Sequence, residues 1–292
     1  MFSCRIENYI NDILTLTQNE NDFQILSIEG LNPPNAQINT AVIAGMDGAR
    51  FNSSKLATRN IVVYIKIRGD IEKNRLRLYS FFVTKQWCRF YYKNGSLDVF
   101  AEGYIESVEC AIFTDNEVMQ ISIICPDPYF KSAQEIIDDI SKTVKLFEFP
   151  FAIERELSPI VGHMYGIEFS RFEANRIVTA SGKTATGIII EVEIYQPISK
   201  IEILKVDTNE KFTLEYEFQT FDKVVINTTK GQKSTVLLRG DDKINLFTSI
   251  AKGSVFFQLQ TGNNSFTYKV DDMEHDRDVT VNIKHRDQYQ GV

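Results

Sequence analysis

Ser181-Gly182-Lys183-Thr184 has the residue types that cradle a nucleotide phosphate. A P-loop also needs a glycine five positions before Gly182 to shape the cradle. Ile177 stands there. The residues that follow, Ala185 to Ile194, read as a turn and a strand. The motif would instead open a helix, whose N-terminus holds the anion. The tetrapeptide therefore reads as a polar loop between strands. Carboxylates cluster in Gly240-Asp241-Asp242 and in the run Asp271–Asp278. A calcium loop needs ligands at alternating positions, a central glycine and a closing glutamate. The second run lacks the glycine and is diluted by Met273, His275 and Arg277, so it reads as a solvated acidic turn. His163, His275 and His285 form no His-Glu-x-x-His pair, and there is no Gly-x-Ser-x-Gly elbow. A glycosidase needs two carboxylates about 5–9.5 Å apart across a sugar. The 39 Asp and Glu offer many pairs and select none. Phe256-Phe257, and Phe147, Phe149 and Phe151 on one face of an extended segment, could stack on a ligand. At strand spacing, aromatics more often fill cores or interfaces. The sequence thus predicts no catalytic residue, no cofactor and no metal site.

The 292 residues suggest about two domains of ~150 residues, each long enough for its own core. The net charge of -7 divides almost evenly at residue 150, into -4 and -3. Neither half is the basic module that coating a nucleic acid requires. Cys4, Cys88, Cys110 and Cys125 are widely spaced and read as reduced thiols. No run approaches 18 apolar residues, so no membrane insertion is expected. The first residues lack a signal-peptide pattern, which points to synthesis in a cytoplasm. Asn52, Asn94, Asn227 and Asn263 begin N-x-S/T sequons that mark only turn-like stretches. The aromatic content is lopsided: 21 Phe and 12 Tyr against one Trp.

Alternation dominates the chain. Residues 61–67, 76–83, 104–113 and 119–125 read as strands, because successive strand side chains face opposite ways. Lys93-Asn94-Gly95-Ser96 predicts a hairpin joining Trp87–Tyr92 to Leu97–Ala101, since Asn-Gly tolerates the positive φ of a tight turn. One helix is predicted. Ser132 and Glu135 have the spacing of a capping box, and Ile136, Ile137, Ile140 and Val144 follow as a stripe. Pro126, Pro128 and Pro150 bracket it. Downstream, residues 188–194, 201–206, 212–218, 223–227, 234–238, 254–259, 265–270 and 278–284 read as short strands, the pattern of a sandwich or jelly roll. The polar stretch Asn11–Asn60 is either an arm that orders on a neighbour or a set of surface loops.

One stretch resembles a known family. Gly103-Tyr104-Ile105-Glu106-Ser107-Val108 precedes Gln120-Ile121-Ser122-Ile123-Ile124-Cys125-Pro126-Asp127-Pro128-Tyr129-Phe130. Order and spacing are similar to the distal tail proteins (Dit) of siphovirus-type phages, the phage tail component family. Gly103, Tyr104, Val108, Cys125, Pro126, Asp127, Pro128, Tyr129 and Phe130 carry the match. Thr186–Glu191, Ile226–Thr228 with Gly231–Ser234, Gly253–Leu259 with Gly262–Asn264, and Tyr289–Val292 continue the likeness. Phe221-Asp222 stands where the family suggests Gly-Asp, and Gln196-Pro197 where it suggests Asn-Pro. The resemblance implies a mainly β fold. It implies a β-rich, ring-forming domain with one helix over 1–130, a linking helix and strand over 131–150, and a galectin-like or jelly-roll sandwich over 151–292. It further implies a structural, non-enzymatic protein of the virion tail tip. Such a protein forms a hexameric ring at the end of the tail tube, the hub of the baseplate, and meets the tail tube protein, a tail-associated tip protein and a receptor-binding protein. It takes no specific nucleic acid. A carbohydrate-binding adhesin working through the sandwich is the alternative.

Overall fold

The computed structural model describes residues 3–18, 22–112, 117–141, 143–149, 167–172, 175–271 and 279–292, with 143–149 and 167–172 described by backbone alone. His163, Pro150, Phe151, residues 114–116 and the acidic run beyond Asp271 lie outside them. Two compact units emerge. One comprises Met1–Glu135, Gly182–Thr184 and Arg286–Val292; the other comprises Ile136–Ser181 and Ala185–His285.

The first unit opens with β1 (Ser3–Asn8), β2 (Ile13–Leu16), β3 (Phe23–Glu29), β4 (Ala36–Ala41), β5 (Arg50–Leu56) and β6 (Arg59–Ile67). Helix α1 (Ile71–Phe81) follows, then β7 (Trp87–Asn94), β8 (Leu97–Cys110), β9 (Val118–Cys125) and β10 (Phe130–Ser132). Apart from β4 and β5, these strands form one antiparallel sheet, ordered β2-β1-β7-β8-β9-β6-β3 with β10 on β8. Alternation explains the inner face. Ile61, Val63, Ile65 and Ile67 of β6 face the core with Met119, Ile121, Ile123 and Cys125 of β9. The predicted hairpin is present, pairing Asn94 with Leu97 around Gly95 at φ +59°.

Residues 76–83, expected as a strand, are mostly helix. Asp70 caps α1 by accepting the Lys73 N–H, and the chain enters from Gly69 at φ +70°. The buried positions are Asn74, Leu78 and Phe82, four apart. Asn74 donates to the Arg68 carbonyl at 2.8 Å. A polar residue on the buried stripe hid the helical period, and Leu76, which completed the apparent alternation, is exposed.

The second unit contains β11 (Ile136–Asp139), β12 (Thr143–Phe149), β13 (Ile167–Phe172), β14 (Arg176–Ala180), β15 (Ile188–Ile194) and β16 (Ile198–Lys205). It continues with β17 (Glu210–Phe218), β18 (Lys223–Asn227), β19 (Ser234–Arg239), β20 (Asp242–Asn245), β21 (Gly262–Val270) and β22 (Val279–His285). A six-stranded sheet, β11-β22-β15-β18-β19-β20, and a four-stranded sheet, β14-β21-β16-β17, share one core. Ile190, Val192, Ile226 and Ile283 supply one side of it, and Val178, Ile203, Leu214, Phe266 and Tyr268 the other. β12 and β13 pair with each other.

The helix expected at 131–150 is absent, and the segment is β10, β11 and β12. Ser132 does not cap a helix. Its hydroxyl donates to the Gln134 carbonyl and accepts the Asp287 N–H at 3.1 Å. Ile136–Asp139 pairs with residues 282–285 of β22. β-branched isoleucines favour that pleated setting over a helix. Residues 254–259 form no continuous strand: the Val255 N–H bonds to the Lys211 carbonyl, and Leu259 makes one bridge to Thr186. The chain ends with β23 (Gln288–Tyr289), which joins β10 in the first unit.

Candidate functional site

Part of the motif, Cys125 to Phe130, gathers on a buried cation. Arg59, at the start of β6, is 2% exposed. Its Nε donates to the Pro128 carbonyl at 2.8 Å, and its Nη1 to the Asn32 carbonyl at 2.8 Å. Nη1 also reaches the Gly30 carbonyl, and Nη2 the Gln290 carbonyl. The guanidinium lies 4.3 Å from the centre of the fully buried Phe130 ring. One side chain therefore ties together the end of β3, the Pro-Asp-Pro turn and the end of the chain. Burial lowers the Arg59 pKa from its ordinary value, while Cys125 and Asp127 act to raise it.

The other motif residues have local reasons. The Asp127 carboxylate accepts the Tyr129 N–H at 3.2 Å and pairs with Lys131 at 2.8 Å, which sets the turn between the prolines. Gly103 leaves room for its neighbour strand. A Cβ there would lie 2.6 Å from the Ile124 carbonyl oxygen and 2.9 Å from Cys125 Sγ. Val108 packs on the first core, while Tyr104 is half exposed. Burial pushes the Cys125 and Cys88 thiols up to about 12 and the Cys4 thiol higher still. At all three, burial disfavours the thiolate that nucleophilic chemistry uses. The Arg59 cluster joins three segments of the first unit. The sequence marked every motif residue but not Arg59 as their centre, because its carbonyl partners lie up to 231 positions away.

A second feature faces outward. β4 and β5 pair only with each other, and nearly all of 36–56 is exposed. Paired residues share a face. Ala36 with Leu56, Ile38 with Ser54 and Thr40 with Phe51 form one face. Gln37 with Lys55, Asn39 with Ser53 and Ala41 with Arg50 form the other, where Asn39 donates to Ser53 at 3.0 Å. The ribbon is thus amphipathic, yet Ile38 and Phe51 are 62% and 61% exposed. An isolated two-stranded ribbon is marginal in water. The alternation Ala36-Gln37-Ile38-Asn39 was the available signal, masked by the polar composition around it.

The remaining candidates disperse. Gly182 packs against the Gln288 backbone, where a Cβ would lie 2.7 Å from its nitrogen, and Lys183 N–H donates to the Gln288 carbonyl. That contact, not a phosphate, uses the glycine. Asp241 and Asp242 sit at the exposed β19–β20 turn. His285 is buried beside Asp138 at 3.3 Å, away from any histidine pair among the described residues. No described group of three or more His, Cys, Asp or Glu could hold a metal ion, and no described helix is long and apolar enough to cross a membrane. Phe257 is core, whereas Phe256 bridges Phe212 and the exposed Phe247, with Lys233 Nζ 5.1 Å above its ring. Of the Phe147 and Phe149 segment, read as core or interface, β12 is present in backbone.

Residues 181–289 match the siphovirus-type tail component, C-terminal domain family. Comparison with curated proteins finds no match. Among solved structures, the chain is similar to the SPP1 Dit protein (gp 19.1), described as a paradigm of the hub adsorption apparatus in phages infecting Gram-positive bacteria. The TM-score is 0.70 and the identity 14%, over 99% of each chain. It is also similar to a chain of the phage p2 baseplate in its activated, calcium-bound conformation, with a TM-score of 0.54 and 12% identity over 100% of each chain.

Proposed function

We propose that this chain, which carries the siphovirus-type tail component domain over residues 181–289 and a Dit-like fold along its length, is a structural distal tail protein. It has no enzymatic activity in this reading. The first unit forms a ring, a hexamer by family resemblance, at the end of the tail tube. The second, a galectin-like sandwich, docks a receptor-binding or other tip protein. The protein is made in the host bacterial cytoplasm and resides at the virion tail tip.

The observation that carries the reading is the β4–β5 ribbon. A soluble monomer gains nothing by presenting Ile38, Phe51, Val42 and Met46 to water on a strand pair with open edges. A second copy covers them in a ring. Light scattering of the purified protein, with negative-stain images of the protein and of tail tips, tests this. The expected result is a symmetric ring whose mass falls to that of a monomer in the double variant Ile38→Asp/Phe51→Asp. Unchanged mass in the variant removes the ribbon from assembly. Tail tips that lack the protein overturn the reading.

The aromatic cluster favours a second reading, a carbohydrate-binding adhesin. Phe247 is 51% exposed and stacks on Phe256 at 6.0 Å beside Lys233. Saturable binding on a glycan array that is lost in Phe247→Ala supports it, and silence on the array rejects it.

A further inference from the structure

A groove of about 470 Å³ opens beside α1 in the first unit. Ile10 and Asp12 of the β1–β2 turn and Ile13 of β2 line it, with Phe23 of β3 and Arg77 and Phe81 of α1. Ile10 and Ile13 are 56% and 57% exposed, and the Arg77 guanidinium lies 5.6 Å from the Phe23 ring centre. The groove is therefore mixed: apolar side chains alternate with Asn8 and Ser80, and Asp12 and Arg77 supply one anion and one cation.

The tip of the β4–β5 ribbon has the matching composition. Val42 and Met46 are 82% and 66% exposed, Ile43 is 41% exposed, and Asp47 and Arg50 flank them. Gly45 and Gly48 take positive φ and carry the chain round the tip. Asp12, Arg77, Asp47 and Arg50 form no ion pair among the described residues.

Position decides where the tip can go. Phe23, the first residue of β3, lies in the groove, and the ribbon departs after Glu29, the last. At about 3.3 Å per residue, groove and ribbon root stand ~20 Å apart at opposite ends of one strand. Complementary patches at opposite ends of a subunit make head-to-tail contacts, and these close into rings when the rotation allows. We infer that the ribbon tip of one copy seats in the groove beside α1 of the next copy, with Asp47 against Arg77 and Arg50 against Asp12. The inference rests on the ring reading above and names its interface.

Charge reversal tests the pairing in the full-length protein. Arg77→Glu and Asp47→Lys are each expected to weaken self-association by at least about tenfold in sedimentation analysis at low salt. The double variant Arg77→Glu/Asp47→Lys should recover most of the loss. All three should melt like the wild type, since both side chains are exposed. As a direct readout, Ile13→Cys with Gly48→Cys should form a disulfide between copies under mild oxidation. Single variants that assemble normally, or a double variant without recovery, overturn the groove pairing and leave the ring intact. Single variants that fail only on the particle place another chain in the groove and overturn it too. A wild-type protein that is monomeric both in solution and on particles overturns the ring reading instead.

Discussion

Arg59 shows how a motif becomes a joint. A buried guanidinium needs its donors satisfied, and here four backbone carbonyls from three distant segments do so. The segments are held because the cation would otherwise be buried unpaired. Gly103 acts by absence, leaving room for β9. Its neighbour, the Ile124 carbonyl, belongs to a paired strand and cannot move away. Gly103→Ala should cost about 1–3 kcal/mol through overpacking, read as a lower denaturant midpoint with unchanged slope. A neutral result would show that β9 yields. Phe221 is the opposite case. It holds φ +70° and is 82% exposed, so it strains the backbone and buries little. The left-handed region costs a side-chain-bearing residue roughly 1–2 kcal/mol. Phe221→Gly should therefore stabilise the second unit by about 0.5–1 kcal/mol after the added freedom of the unfolded chain. A lower melting temperature would contradict this. The turn itself is held by Asp222, 1% exposed. Burial pushes its carboxyl up, but two bonds from Arg239 and one from the Gln219 N–H bring it below the usual range.

At the scale of elements, the two departures from the expected helix and strand have different causes. In 132–144 the isoleucines fit a helical stripe and a strand equally well, and the choice was made by β22, about 145 positions further along. In 71–81 a local cap and turn made a helix that its apolar spacing disguised. Burial survives the change of element. Ile140 is 2% exposed in the second core, and its N–H donates to the Val281 carbonyl at 2.9 Å. Ile140→Asp should cost several kcal/mol, because it places a charge without a partner in an apolar core. Calorimetry showing an unshifted transition for the second unit would rule out that burial.

At the scale of the molecule, the chain leaves the first unit after Glu135 and ends in it again from Arg286. The last residues close that unit. Gln290 supplies a carbonyl to Arg59, Gly291 packs on Pro33, and Val292 N–H donates to the Leu31 carbonyl at 3.0 Å. Arg286 donates to the Ser132 and Ala133 carbonyls at 3.0 and 2.6 Å. Deleting Arg286–Val292 should therefore expose the amides of β6 and β10 to hydrogen exchange while β15 and β16 stay protected. Uniform loss of protection, or none, would argue against a locally closing tail.

Most of the strands, the Asn94-Gly95 hairpin and the mainly β class followed from the sequence alone. Two-residue alternation and turn chemistry act over a few positions, and neither needs a distant partner. The motif around Gly103 and Cys125–Phe130 was likewise visible in order and spacing. Only the tertiary structure made Arg59 its centre, turned 136–139 into a strand, and returned the last seven residues to the first unit. The stretch Asn11–Asn60, an arm or surface loops by sequence, holds β2 and β3 of the main sheet and a ribbon whose apolar face shows only in its register. Apart from the ribbon, each of these depends on pairing across long stretches of chain, where the energy comes from partners that local pattern does not name.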